Sequence, residues 1–404
     1  MQITTDMAAA EPLILKEAGR AVDSIGAPCF SVDVATSAAD IGLLARDWLA
    51  LEQLSGPNTI FQSHAQIRTW ARHFLGDART KNRLHVAVVR ERGRAVLILP
   101  LVASGRAPLR IARMAGDPIS QYSDLLLDPG ANGRAAFEAA LASVAKARID
   151  VVILRRVRAD SELKRLAADH LRLTNGENTA PYADLSAYPT TEAFLQSLSK
   201  KVRQGLRNRR NHLGKVGDVS FELLSGGPGA RRALADAINL KRRWLVQRGA
   251  LSAAFLDPST RNCLLDLAED ETGAGAVVLR LLVKGEPAAI GFGFEHMGAH
   301  FNYLSAYDES FAQLSPGKML IDFYVSQAKP RGMSRLDMLP PTGRHKTEWC
   351  HHETPVADYT LPLTRAGRLY AAAYHERLRP ALQRTWHRLP EGIRSKAATW
   401  FINI

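Results

Sequence analysis

The chain is poor in cysteine, in acidic charge and in long apolar runs, and each shortage removes a class of protein. Three cysteines in 404 residues, Cys29, Cys263 and Cys350, lie far apart and form no Cys-x-x-Cys pair. Neither a disulfide framework nor a cysteine zinc site is therefore expected. That usage suits a reducing compartment, by default the cytoplasm. His345, His351 and His352 beside Cys350 do not suggest a metal either, because adjacent histidines seldom converge on one ion. The longest apolar stretch, Ala95 to Ala103, falls well short of the roughly 20 residues a membrane span needs. The N-terminus carries early acidic residues and only a four-residue apolar stretch, and does not read as a secretory signal. Gly291-Phe-Gly293 is not continued into a dinucleotide loop, and no Gly-x-Ser-x-Gly string occurs. With 53 Lys+Arg against 40 Asp+Glu, the formal charge is +13, which favours polyanionic partners.

Ordinary glycine and proline content and 46% apolar residues indicate a folded chain, and its length suggests two domains and a tail. The apolar periodicity predicts a strand at Cys29 to Ala35, helices at Ala38 to Leu54 and Ser63 to Leu75, and a hairpin from Leu84 to Ala103. Strands near Leu109 to Arg113 and Tyr122 to Leu127, a helix at Gly133 to Ala147 and a buried strand at Ile149 to Val157 follow. The second half has a similar order. Helices at Thr191 to Leu213 and Gly229 to Arg248 flank a strand at Val219 to Leu224. A helix at Pro258 to Glu269 precedes a hairpin from Val277 to Glu295, a strand at His300 to Asp308, a helix over Ser315 to Gly332 and a strand at Ser334 to Leu339. The expected architecture is α/β (α+β): two successive units, 28–188 and 189–363, each a mixed, mainly antiparallel sheet flanked by helices, plus a basic helical tail over 364–404.

Three segments carry candidate chemistry. Leu198 to Gly217 holds seven Lys/Arg and no acid, with Lys200, Arg203, Arg207 and Arg210 on a face apart from the apolar stripe. A second basic helix clusters arginines and Lys241 around Trp244. A solvated charged face accounts for either helix alone; two together point to a polyanion, such as a nucleotide-bearing cofactor, a tRNA or a phosphorylated glycan precursor. Next, Ser315-Pro316-Gly317-Lys318 follows a strand and opens a helix. Its backbone N–H groups and the helix dipole could cradle a pyrophosphate, although Ser-Pro also simply starts helices. Third, Arg335 to Cys350 runs from a strand through a Pro-Pro break to Lys346 and Trp349. The tail's eight Lys/Arg against two Glu suit either an anionic membrane surface or packing on its own domain.

In order, FLQSLSKKVRQGLRNRRNHL, KRRWLVQRGALSAAFLDP, GEPAAIGFGFEHMGAHFNYLSAYDESFAQLSPGKMLIDF and the Lys346/Trp349 string resemble the CelD-like acetyltransferases, a branch of the GNAT acyltransferase superfamily related to the Fem-type aminoacyltransferases. PNTIFQSHAQIRTWARHF, AVLILPLV and QYSDLLLDP add a looser match in the first half. Asp337, Leu339 and Lys346 keep the family's last motif, whereas Pro341, Thr342, Gly343 and His345 depart from it.

The resemblance implies a tandem GNAT-like fold, acetyl-CoA or a longer acyl-CoA as co-substrate without a metal, and transfer to an amine of a small molecule or a polysaccharide or envelope precursor. Acyl transfer needs a base for the amine and an acid for the leaving group. Asp308, Tyr307 and Lys346 are the catalytic candidates, an N-cap or turn role being the alternative for Asp308. Ser315, Gly317, Lys318 and Met319 would hold the donor phosphates, and Arg203, Arg207, Trp244, His345 and Trp349 the substrates. A Fem-like tRNA-dependent aminoacyltransferase and a non-catalytic scaffold binding polyanions remain the other readings.

Overall fold

Side-chain caps and β-branched runs set where the elements of this fold begin and end. The structure, a computed structural model, describes residues 30–76, 82–104, 109–247 and 257–378. Its strands are β1 (Phe30–Ala35), β2 (Arg83–Glu91), β3 (Arg94–Ser104), β4 (Ile111–Met114), β5 (Leu126–Leu127), β6 (Val151–Arg158), β7 (Arg172–Asp184), β8 (Val219–Ser225), β9 (Ala276–Val283), β10 (Glu286–His296), β11 (Ala299–Tyr307), β12 (Arg335–Asp337) and β13 (His352–Pro362). The α-helices are α1 (Ala38–Leu43), α2 (Ala45–Glu52), α3 (His64–Phe74), α4 (Gly133–Lys146), α5 (Glu162–Leu166), α6 (Thr191–Ser197), α7 (Lys200–Val216), α8 (Gly227–Gln247), α9 (Pro258–Glu269), α10 (Pro316–Ala328), α11 (Arg344–Thr347) and α12 (Arg365–Tyr370). Among the described residues no helix is long and apolar enough to cross a membrane.

Two expected helices are each divided. The segment 38–54 breaks at Leu44, between a capping box at Ser37 and the start of α2. The segment 191–213 breaks at Leu198, whose extended backbone (ψ 153°) lets Ser199 cap α7 by accepting a hydrogen bond from Val202 N–H. Cys29 and the tail beyond residue 378 lie outside the described residues.

The strands form one sheet in the order β1-β2-β3-β4-β6-β13-β7-β12-β11-β10-β9-β8, with β5 pairing off β3. All of its neighbours are antiparallel except two pairs, β4 with β6 and β11 with β12. Read from its two ends, the sheet repeats itself: four antiparallel strands, then one parallel strand, then an antiparallel one. The last strand of each half is exchanged. β13, late in the chain, lies against β6 of the first half, while β7 lies against β12 of the second. Ranges 28–188 and 189–363 thus interlock through β7 and β13.

On one face, a single core spans both halves. Phe61 meets Tyr122, Phe294 and Phe301 edge to face, each at 6.0 Å, and α3 packs on α9, where His73 bonds Asp266 at 2.7 Å. On the other face, α4 covers the first half, while α7 and α10 cover the second. At the junction of the halves sits a buried ionic network. Arg158, 1% exposed, donates to Asp337, 0% exposed, at 3.0 Å. Tyr122 donates to the same carboxylate at 2.8 Å, with its ring 4.9 Å from the Arg158 guanidinium. Arg158 also holds Asp160 and Thr354. Burial, followed by the Asp337 charge, pushes the Tyr122 hydroxyl well above its ordinary pKa, keeping it a donor.

Charges removed from water are tolerated only while paired. Asp337→Ala is expected to destabilise the protein by about 3 kcal/mol, because it strips Arg158 of its buried partner. The joint replacement of Arg158→Met with Asp337→Leu should cost clearly less than the two single changes added together. Urea unfolding of the four proteins in that cycle measures the coupling, and simple additivity would show that the pair is not coupled.

Candidate active site

The two parallel strand pairs differ in what fills the space beyond them. β4 and β6 pair over Ile111–Arg113 and Val151–Ile153 and then part. There the first half closes on itself: Ser123 donates to the carbonyls of Arg155 at 2.6 Å and Arg156 at 3.3 Å, and Arg156 bonds the Gln121 side chain. β11 and β12 pair over Ala299–Phe301 and Arg335–Asp337 and likewise part. From Asn302 to Tyr307, β11 keeps β10 on one edge, where a bulge at Phe292/Gly293 adjusts the register. Among the described residues no strand pairs with its other edge. The second half therefore contains an open splay between two strands.

The chain leaves β11 through a short 3-10 turn, Glu309–Leu314, and enters α10 at Ser315. Ser315 has a left-handed backbone (φ 49°) and makes no side-chain cap bond, so the first turn of α10 lacks the usual side-chain acceptor; Pro316 has no N–H, and the Lys318 N–H already donates to the Ser315 carbonyl at 2.9 Å. In the first half the corresponding helix, α4, is capped by the Asn132 side chain. Around Gly317 there is free space: a Cβ there would meet no atom within 4 Å. Lys318 forms an ion pair with Glu348. Met319, expected at the donor, has a side chain that is 1% exposed and packs in the core beneath α10, so only its backbone faces that site.

Beyond β12 the chain is held from inside. Asp337 accepts Leu339 N–H at 2.9 Å and fixes Leu339 in the left-handed region (φ 58°), just before the Pro340-Pro341 break. Lys346 closes the same turn from the other side, donating to the carbonyls of Leu339 at 2.7 Å and Pro341 at 2.9 Å. Lys346 thus positions backbone, and burial lowers its pKa to about 8. His345 is kept below its ordinary pKa, first by partial burial and then by the charges of Lys346 and Lys318. Trp349 is 0% exposed and packs in the core at the floor of a cavity between α7 and α11, so it could meet a ligand only from within that cavity.

Tyr307 ends β11, half-buried against the core under α10. Asp308 caps the following turn, accepting Ser310 N–H at 2.9 Å and Ser310 O–H at 2.6 Å, bonds that hold its carboxyl below the usual carboxylate range. It also lines a cavity of about 1200 Å³ on the α8 face of the sheet, with Arg242, Arg243, Asp236 and Glu286. Trp244 lies near this rim, with the Lys241 ammonium 4.3 Å from its ring. Arg203 bonds the Gln196 carbonyl at 2.8 Å, and Arg207 is exposed on α7. Lys318, His345 and Lys346 are thus brought together at one corner, with Asp308 and Trp244 near the α8 cavity. Sequence reading missed the Tyr122 and Arg158 partners of Asp337, which lie in the other half of the chain.

The lowered pKa of Lys346 has a definite sign in stability. As pH rises from about 8, the folded chain releases this proton while the unfolded chain keeps it up to about 10.4, so the lysine's contribution to stability grows across that window. The full span is worth about 3 kcal/mol. Comparing wild type with Lys346→Met by denaturant unfolding at pH 8 and pH 10 should reveal this rise in wild type alone. Parallel pH dependence in both would overturn it.

Residues 200–347 match the family described as acetyltransferase (GNAT) domain. No curated protein matches the chain in sequence. Among solved structures, FemX is 11% identical, with a TM-score of 0.58 over 81% of this chain and 98% of that one. A conserved protein of unknown function from Bacteroides thetaiotaomicron VPI-5482 is 11% identical, with a TM-score of 0.52 over 82% and 100%. L-PGS from Bacillus licheniformis is 14% identical, with a TM-score of 0.50 over 82% and 95%. At these identities the likeness is one of fold, and it extends over most of the described sheet. The segment from α7 to α11, with the open splay at its centre, is the part of the chain that matches the GNAT acetyltransferase domain.

Proposed function

We propose that the protein is an N-acyltransferase that takes an acyl group from acetyl-CoA or a longer acyl-CoA and delivers it to an amine. The observation that carries this reading is the open splay between β11 and β12, which leads to the uncapped start of α10. A linear thioester can add its polar arm to the free edge of β11 and rest its phosphates on the N–H groups of α10. The matching splay in the first half is filled by residues 121–123, so the donor belongs to the second half.

The amine nitrogen attacks the thioester carbonyl, a C–N bond forms and the C–S bond breaks. The amine gives up a proton and the thiolate gains one. Asp308, already a carboxylate beside the α8 cavity, is the group we assign to receive the acceptor's ammonium and its proton, and Tyr307 is the proton donor to the thiolate. Lys346 acts by holding the Leu339–Pro341 turn at the mouth of the splay. The mixed charge of that cavity suits a zwitterionic acceptor, and a polysaccharide or envelope precursor of the CelD-like kind is the class we favour. Ser315, Gly317 and the backbone of Met319 are assigned to the donor.

Because Gly317 has open space around it and no left-handed backbone, Gly317→Ala is expected to leave Tm unchanged while weakening acyl-CoA binding about tenfold or more, through steric loss of the phosphate approach. Calorimetric titration with acetyl-CoA and a long-chain acyl-CoA reads this directly. If wild type binds neither, the acyl-CoA reading fails. In a transfer assay Asp308→Asn and Tyr307→Phe should each lower kcat/KM by about 10²-fold or more; full rates would remove those two assignments.

A tRNA-dependent aminoacyl transfer is favoured by one observation, the exposed cations Lys200, Lys201, Arg203 and Arg207 along α7. That reading predicts tRNA binding that falls steeply with salt. Binding that is weak and insensitive to salt would eliminate it.

A further inference from the structure

A second cavity, of about 490 Å³, lies between α7 and the corner where α10 meets α11. We propose that it is a phosphate site, built to hold the phosphorylated end of the acyl donor beyond the part that reaches into the splay. This rests on the acyl-donor reading above and extends it to Lys201, Gly205, Arg209 and Arg344.

Three observations converge. First, Lys201, Arg209, Lys318 and Arg344 line the cavity against a single carboxylate, Glu348. Glu348 is paired with Lys318 and lies 3.7 Å from Arg344, whereas Lys201 and Arg209 have no carboxylate partner among the described residues. The cavity therefore carries excess positive charge when empty, and an entering phosphate could take Lys318 from Glu348. Second, Trp349 lines the same cavity, and its fully buried indole N–H has no acceptor among the described residues. Such an orphan donor is rare and calls for a partner, which a phosphate oxygen would supply. Third, Gly205 sits in the middle of the 17-residue helix α7, where glycine is unfavourable relative to alanine. A Cβ at this position would lie 2.6 Å from the Arg209 Nη1 atom. Glycine leaves the guanidinium room against the helix at the cavity wall, and a methyl group there would push this flexible end outward.

The occupant follows from where the cavity lies. Lys318 belongs both to this cavity and to the first turn of α10, so a molecule whose pyrophosphate rests on that turn brings its next phosphate within reach. A concave site this close to the donor loop fits a nucleotide end better than the backbone of a large RNA.

The probes are CoA, adenosine 3′,5′-bisphosphate and a truncated acetyl thioester of pantetheine that lacks phosphate. Arg209→Gln and Gly205→Ala are each expected to weaken bisphosphate and CoA binding about tenfold, the value of roughly one charge-assisted contact, and Gly205→Ala should do so with Tm no lower than wild type. Transfer from the truncated thioester should be unchanged in both variants. An equal loss with the truncated donor, or unaltered CoA affinity, overturns the phosphate site. If CoA binding responds to Gly317→Ala but not to these two variants, the donor reading stands and this inference falls. If the bisphosphate binds and loses affinity in both variants while no acyl-CoA is turned over, the phosphate site stands and the acyl-transfer reading falls. Loss of tRNA binding in the variants of a protein that binds neither CoA nor the bisphosphate would overturn it as well.

Discussion

The carboxylate of Asp337 is the constraint on which both the join of the two halves and the shape of the site depend. It has no exposure to solvent and accepts from Tyr122, Arg158 and Leu339 N–H. Two of those donors come from the first half of the chain and one from the turn beyond β12. A buried carboxylate must satisfy its oxygens or forfeit several kcal/mol. The halves therefore cannot slide without breaking it, and the turn at Leu339 cannot relax from its left-handed backbone without leaving one of its bonds unmade. The interaction that stabilises the interface also sets where β12 stops and where the splay from β11 begins.

Two halves with the same strand order have taken different courses at the same point. In the first, Gln121 and Ser123 bond β6, and Asn132 caps the next helix. In the second, among the described residues no strand pairs with the edge of β11 beyond Phe301, and Ser315 makes no side-chain cap. Each unmade bond costs free energy that a ligand can recover, which is why strained or unsatisfied backbone gathers at sites. Tyr303, whose hydroxyl donates to the Ile119 carbonyl at 3.0 Å, ties the closed half to the open one. The first half acts as the rigid wall against which the second keeps its gap.

Most elements were legible from apolar periodicity, including α9 over Pro258–Glu269 and the hairpins of β2–β3 and β9–β10. The strands β7 and β13 were not. β7 contains Asn-Gly-Glu-Asn, which signals a turn, and β13 has prolines at 355 and 362; both strands are held by neighbours from the opposite half, information that no local pattern carries. The same limit explains the site. Asp337, Lys318 and Lys346 could be singled out from local motifs, but their partners lie 179, 30 and at most 7 positions away, and only the nearest was within view of the sequence. Trp349 read as a ligand surface because aromatic residues beside lysines often are; its burial depends on α10 packing above it.

The net charge of +13 invites a broad electrostatic account, and the fold narrows it. Much of the basic surface is already engaged: Arg210 is held in two bonds by Asp322, Arg231 by Asp266 and Glu269, Arg280 by Glu222 and Arg331 by Glu295. These pairs join α7 to α10, α8 to α9, β9 to β8 and the end of α10 to β10, and exposed pairs of this kind add little individually to stability. The cations left over are not spread evenly. On α7 Lys200, Arg203 and Arg207 form an exposed row, while Lys201, itself exposed, and Arg209 line the cavity that also holds the Trp349 indole and Lys318 of the first turn of α10. A charge acts most strongly where water is excluded and a second contact fixes the ligand. By that measure the corner between α7, α10 and α11, next to the open strand edge, is the place among the described residues where the charge is best set to hold an anion.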